Sequence, residues 1–220
     1  VYDSLSGHSH HLKAVKRHIF NFPWDLILSF DMNDCQKYGF ISIDFAMYSC
    51  FEEKQSNNFS DIYFIGKDKV GRNAKVKGVF EVLYRYGVSC NFNLKKLDRI
   101  HSKREDEWCN GVHTFYNRNI PYEEVIRDVL STNVILEYLH DGQQAQSLRY
   151  YEAVCYNKKL LTNNMNVSSL PFYNPKYMKT FASIDDIDVE WIKKQENINY
   201  GYKGEFSPVR ILDIIESNVI

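Results

Sequence analysis

From Asp61 onward, short apolar runs alternate with longer amphipathic stretches. The runs "DIYFIG" (61–66), "VSCNFNL" (88–94), "VHTFYN" (112–117), "NVILEYL" (133–139) and "KKLLTN" (158–163) are each of strand length. Between them lie segments long enough to carry a helix back across a sheet, notably 73–86, with Val76, Val79, Phe80 and Leu83 on one face and Gly87 as its stop. A second helix opens at Pro121 with two acids in its first turn, in "PYEEVIRDVLS". Strand, helix and strand in repetition mean right-handed crossovers and parallel pairing. The expectation is therefore an α/β fold, a Rossmann-like parallel sheet with helices on both faces, over residues 61–190. Residues 1–60 read as a partial N-terminal segment and linker, and 191–220 as C-terminal helices.

The flanks are less regular. "HLKAVKRHIF" (11–20) predicts a short helix, "WDLILSF" (24–30) a strand whose mouth carries Asp31 and Asp34, and "YGFISIDFAMYS" an extended stretch. "FEEKQSNNFS" (51–60) reads as a polar linker or hinge, and "KKLDRIHSKREDEWCNG" (95–111) as a solvated helix or loop. "KYMKTFA" (176–182) predicts one more strand, and "VEWIKKQ" and "PVRILDIIES" the closing helices.

Charge and cysteine usage exclude several classes. The 27 basic and 28 acidic residues nearly cancel, so no long-range field favours nucleic acid, and any anion site must be local. Five scattered cysteines without a CxxC pair argue against a disulfide scaffold or a zinc site, and point to a reducing, cytoplasmic compartment. No apolar run approaches the roughly 20 residues that span a bilayer. "GHSHH" lacks an acid or cysteine ligand nearby and reads as a solvated tail, so no metal site is expected. "SIDDIDVE" lacks calcium-loop spacing, and Ser183 with Asp186 suits a helix start instead.

In open parallel sheets ligands bind beyond the carboxyl ends of the strands, which directs attention to 66–72, 116–122 and 140–149. The last of these holds "DGQQAQSLRYYEAVCYNKKLLTNN" (141–164). Ser147 is a suitable N-cap for a helix running to Cys155, and Asn157 beyond it can take the left-handed cap, with Lys158 and Lys159 near the negative end. Leu148, Tyr151, Val154 and Cys155 can pack inward, leaving Arg149 and Glu152 on another face. Arg149 then stands in the first turn, where the helix dipole opposes a cation by a few tenths to about 1 kcal/mol unless an anion is bound. Two readings stay open on the physics alone: a phosphate seat, or an i,i+3 surface ion pair with Glu152.

"PYEEVIRDVLSTNVILEYLHDGQQAQSLRYYEAVCYNKKLLTNN", with "DLILSFDMNDCQKYGF" and "IYFIGKDKVGR" upstream, resembles the donor-binding half of GT-B glycosyltransferases, in particular small bacterial enzymes of capsular, exopolysaccharide and lipopolysaccharide assembly. The resemblance covers most of residues 24–165. It implies a nucleotide-sugar donor at the C-terminal edge of the sheet and a glycan or lipid-linked acceptor. Glu152 would hold the ribose, while Ser147, Leu148 and Arg149 would lie beside the diphosphate. Gly66 and Arg72 would face the phosphates or cleft, Tyr116, Asn117 and Tyr122 would flank the base, and Gln143 and Gln144 belong to the donor loop. The sequence departs from the family where Ala145, Gln146 and Ser147 replace the usual Gly-Leu-Thr and where Gln144 replaces a glutamate.

On that reading transfer needs no metal and no cofactor beyond the donor substrate, because a helix end and a cation can neutralise the departing diphosphate. Arg149 is the expected leaving-group stabiliser and Asp31 a candidate general base. The stretch before Asp61 is too short for a complete acceptor domain. Peripheral association with the inner face of a membrane, through the acceptor or a partner protein, is part of the same expectation, and a catalytically inactive donor-like module is its competitor.

Overall fold

The computed structural model describes residues 17–29, 32–43, 48–67, 72–96, 112–116, 119–140 and 146–218, with backbone alone at 32, 33, 96 and 112–116. The chain divides into two compact units, one spanning Cys50–Tyr202 and the other Val1–Ser49 together with Lys203–Ile220.

The larger unit is built on six parallel strands: β1 Ser60–Lys67, β2 Cys90–Lys96, β3 Val112–Tyr116, β4 Thr132–Glu137, β5 Lys159–Thr162 and β6 Met178–Thr180. Their spatial order is β3-β2-β1-β4-β5-β6. This is the order of a Rossmann sheet, and the direction of winding reverses between β1 and β4. Every residue of β4 and β5 is buried, as strands covered on both faces must be.

Among the described residues, four helices supply that cover: α1 Arg72–Arg85, α2 Tyr122–Leu130, α3 Leu148–Cys155 and α4 Val189–Lys193. Val76, Val79, Phe80 and Leu83 of α1 join Trp191 and Ile192 of α4 against Ile62, Phe64, Phe92, Val134 and Leu136 of the sheet. The alternate residues Tyr63 and Ile135 point to the opposite face, where α2 packs on β1 and β4 and α3 on β4 and β5. The α/β, Rossmann-like architecture is thus the one expected.

Local signals explain the helix ends. Gly87 stops α1 with φ 65° and Asn157 follows α3 with φ 51°, both left-handed. Lys158 donates its amide to Ala153 O at 2.8 Å, closing the end of α3. Its ammonium, expected beside that same end, instead donates to Leu130 O and Thr132 O, at the end of α2 and the start of β4. Ser183 and Asp186 form the anticipated capping box over a single 3-10 turn.

Residues 50–59, read above as a linker or hinge, form a strap fastened to the helices of its own unit. Phe51 donates its amide to the Tyr156 hydroxyl (2.7 Å), and that hydroxyl donates back to Phe51 O (3.2 Å). Phe51 also meets the Tyr122 ring edge-on at 5.3 Å, Arg127 pairs with Glu53 at 3.3 Å, and Ser56 donates its amide to Ser131 Oγ at 2.6 Å.

In the smaller unit the strand expected over 24–30 contracts to Leu28–Ser29, which pairs in parallel with Ile41–Ser42. The helix Met32–Tyr38 connects them and holds a buried Asp34 in its first turn. A closing helix spans Val209–Asn218. The expected boundaries at 60/61 and 190/191 compare with unit boundaries at 49/50 and 202/203. No helix among the described residues is long and apolar enough to cross a membrane.

Candidate functional site

The switch point lies where β1 and β4 end, and four side chains of the 137–152 region, Glu137, Ser147, Arg149 and Glu152, converge beside it. Ser147 is the N-cap of α3, with extended backbone (φ −97°, ψ 176°), and its Oγ accepts from the Arg149 amide at 3.2 Å. Glu137, the last residue of β4, accepts from the Ser147 amide (2.7 Å) and hydroxyl (2.8 Å) through Oε1, and from the Thr162 hydroxyl (2.6 Å) through Oε2. Glu137 and Thr162 are register partners across β4 and β5, which explains the last bond.

One turn along α3, the Arg149 guanidinium meets Glu152 Oε2 at 2.7 Å, with the arginine side chain 12% and the glutamate 0% exposed. Tyr122, the first residue of α2, donates its hydroxyl to Glu152 Oε1 at 2.8 Å. The two residues do pair, as one of the sequence readings held, but the pair is buried. Glu152 is enclosed because Tyr122, from another helix, covers the face that sequence spacing leaves open. Leu148, expected to pack inward, is 46% exposed, while Tyr150 takes an interior place.

Burial governs the electrostatics. Desolvation raises the Glu152 pKa above its ordinary value, with Arg149 and the Tyr122 hydroxyl opposing the rise. Glu137 is likewise raised by burial, opposed by Thr162, Ser147 and the charge of Arg149. Tyr63, fully buried on β1 with no hydrogen-bond partner for its hydroxyl, is raised by burial and feels Arg149 most strongly among its charged neighbours. Arg149 therefore stands as the cation among two buried carboxylates and two tyrosines.

The amides of Ser147 and Arg149 are engaged by side chains, and that of Tyr150 by Ser147 O at 3.1 Å. An anion docking here would be held by the Arg149 side chain and the helix field more than by unpaired amides.

On the other side of the switch point, a Cβ at Gly66 would lie 2.7 Å from Arg72 Nη2 and 2.9 Å from the Phe64 ring, so a larger residue here would displace the end of the Arg72 side chain and the ring tip. Arg72 folds back over this glycine, donates to Lys67 O and lies 5.9 Å from the Phe64 ring centre. Tyr116 closes β3. Asp31, Asn117, Gln143 and Gln144 lie outside the described residues, as do the "GHSHH" histidines. Among the described residues no group of three or more His, Cys, Asp and Glu is placed to hold a metal ion.

Glu137 escaped the sequence reading, which took "NVILEYL" as a plain apolar run. The signal was present: a lone acid in a strand buried on both faces must be paired, and one at the carboxyl end of such a strand borders the ligand edge.

No protein-family profile and no curated protein matches the chain. Among solved structures, TarM is similar over 99% of this chain and 45% of its own, at TM-score 0.53 and 12% identity. The glycotransferase of kitacinnamycin is similar over 86% of this chain and 52% of its own, at TM-score 0.46 and 8% identity, a level that carries no argument. The chain thus spans about half the length of either. The likeness to TarM shows the fold.

Proposed function

We propose that this chain is the nucleotide-sugar-binding part of a glycosyltransferase, acting on a growing bacterial surface polysaccharide or lipopolysaccharide acceptor. The observation that carries the reading is the convergence of an arginine, a capped helix start and a buried glutamate at the switch point of a 3-2-1-4-5-6 sheet. The resemblance of residues 24–165 to GT-B donor domains supports it.

In the transfer, an acceptor hydroxyl oxygen attacks the anomeric carbon. The bond from that carbon to the diphosphate oxygen breaks, its electron pair leaves with the nucleoside diphosphate, and the acceptor proton passes to a base, for which Asp31 is proposed. Arg149 and the positive end of α3 would take up the developing charge without a metal. For this, Arg149 exchanges Glu152 for phosphate, and the released carboxylate becomes available to ribose hydroxyls. Gly66 and Arg72 would border the phosphates, Ser147 and Leu148 the diphosphate, Gln143 and Gln144 the donor loop, and Tyr116, Asn117 and Tyr122 the base. The acceptor, glycan or lipid-linked, would bring the protein to the cytoplasmic face of the membrane.

Calorimetric titration with UDP-, GDP-, CMP- and dTDP-sugars, with Glu152→Ala alongside, tests the reading. One donor class should bind, and the variant should weaken it about tenfold, the loss of roughly one hydrogen-bonded charge. Absence of binding to all four would sink the proposal. The closed Arg149–Glu152 pair favours a second reading, a donor-like module without transfer. Binding with neither donor hydrolysis nor transfer would select it.

A further inference from the structure

We infer that Glu137 is a positioning residue of the donor site: a buried carboxylate at the end of β4 that sets the Ser147 N-cap and, through it, the first turn of α3 that carries Arg149. The inference rests on the donor-site reading for its functional consequence, but the clasp itself is made wholly by the chain's own residues.

The geometry requires an acceptor oxygen at Oε1. A serine hydroxyl has one hydrogen, and here it is given to Glu137 Oε1 at 2.8 Å. That fixes the rotor so that an Oγ lone pair faces the Arg149 amide. The same Oε1 takes the Ser147 amide at 2.7 Å, so backbone and side chain of the cap are held by one atom. Oε2 is tied to Thr162 on the neighbouring strand, and Thr162 Oγ in turn accepts the Asn164 amide at 2.9 Å. The start of α3 is thereby referenced to two central strands.

A serine alone suffices to cap a helix. A fully buried carboxylate at this place costs solvation that a packed apolar residue would not. What the carboxylate adds is a fixed direction for the first turn, and a cation that must meet a diphosphate depends on such alignment within a few tenths of an ångström.

The test uses the full chain and four variants: Glu137→Ala, Glu137→Gln, Ser147→Ala and the Glu137→Ala/Ser147→Ala double. Amide hydrogen exchange at residues 147–149 is measured without ligand, and affinity is measured for UDP and GDP. Glu137→Ala should raise exchange there at least tenfold and weaken the nucleotide that wild type binds at least tenfold. Glu137→Gln keeps an Oε1 acceptor for Ser147 and should recover most of both losses, whereas a fifth variant, Glu137→Met, which fills much the same space without an acceptor, should not recover them. In the double variant the losses should fail to add, because both single changes remove one clasp. Wild-type exchange and affinity in Glu137→Ala, or additive losses in the double, would overturn the inference. If wild type binds neither nucleotide the donor reading fails, and exchange at 147–149 still decides whether Glu137 orders the cap.

Discussion

Two buried charges sit at opposite ends of the β4–β5 strand pair. Glu137 holds the start of α3 at the carboxyl edge. Lys159, register partner of Val134 at the amino edge, donates its ammonium to Trp191 O at 2.6 Å and to Lys194 O, at the end of α4, with the Trp191 ring centre 5.0 Å away. Both place a charge against a helix end of opposite partial charge. They differ in what lies beyond. The lysine meets main-chain carbonyls, reinforced by Asn133, whose side-chain amide donates to Ile192 O and Lys194 O. The glutamate meets a hydroxyl and an amide at the switch point, beside an arginine whose partner can change. One end is a lock, the other a mount.

The largest expected effect comes from breaking the lock. Lys159→Ala removes the donor to Trp191 O and leaves a cavity over Trp191, and should cost about 3 kcal/mol in urea unfolding. Nucleotide affinity per folded molecule should stay as in wild type; a change in it would erase the distinction between the two ends. Asn133→Ala, which removes the second donor of the lock, should cost about 1–2 kcal/mol by the same measurement.

The smallest effect, and the sharpest comparison, is pH dependence. Glu137 is an acid whose folded pKa is raised by burial above its ordinary 4.5, so its contribution to stability is fully present below that value and is lost as pH rises through the folded pKa. Lys159 is a base whose folded pKa is lowered by burial below 10.5. Its contribution is present above 10.5 and is lost as pH falls through the folded pKa. Unfolding free energies measured across pH should therefore show a shallower acid-side slope in Glu137→Gln, Glu152 supplying the remainder, and a shallower alkaline slope in Lys159→Met, Lys158 supplying the remainder. A variant that flattens both slopes, or neither, breaks the assignment.

The sheet was legible because its strands are buried on both faces, and the residues that achieve this, such as Ile62 to Phe64 and Val134 to Leu136, form unbroken apolar runs. "WDLILSF" carries a similar run, yet among the described residues only Leu28 and Ser29 of it pair: apolarity reports burial, and a ladder also needs a neighbour. At the site, the helix cap at Ser147 and the left-handed Asn157 could be read locally, since both are backbone requirements of a single helix. The burial of Glu152 could not. Its enclosure depends on Tyr122, 30 residues earlier on another helix, and no periodicity within 148–155 encodes it. Glu137 could have been found, because an acid inside a buried strand is a debt that some partner must settle.

The strap at 50–56 sets a practical limit on how the larger unit can be cut. A fragment begun at Ser60 would retain the six strands and four helices described above and the side chains at the switch point. It would nevertheless strip the aromatic cover from Tyr122 and leave the Tyr156 and Ser131 hydroxyls without Phe51 and Ser56. Tyr122 is the residue that seals Glu152. Trimming ten residues of irregular chain would thus remove the outer support of the residue that covers the ion pair of α3, so expression boundaries should be set by these contacts as well as by secondary structure.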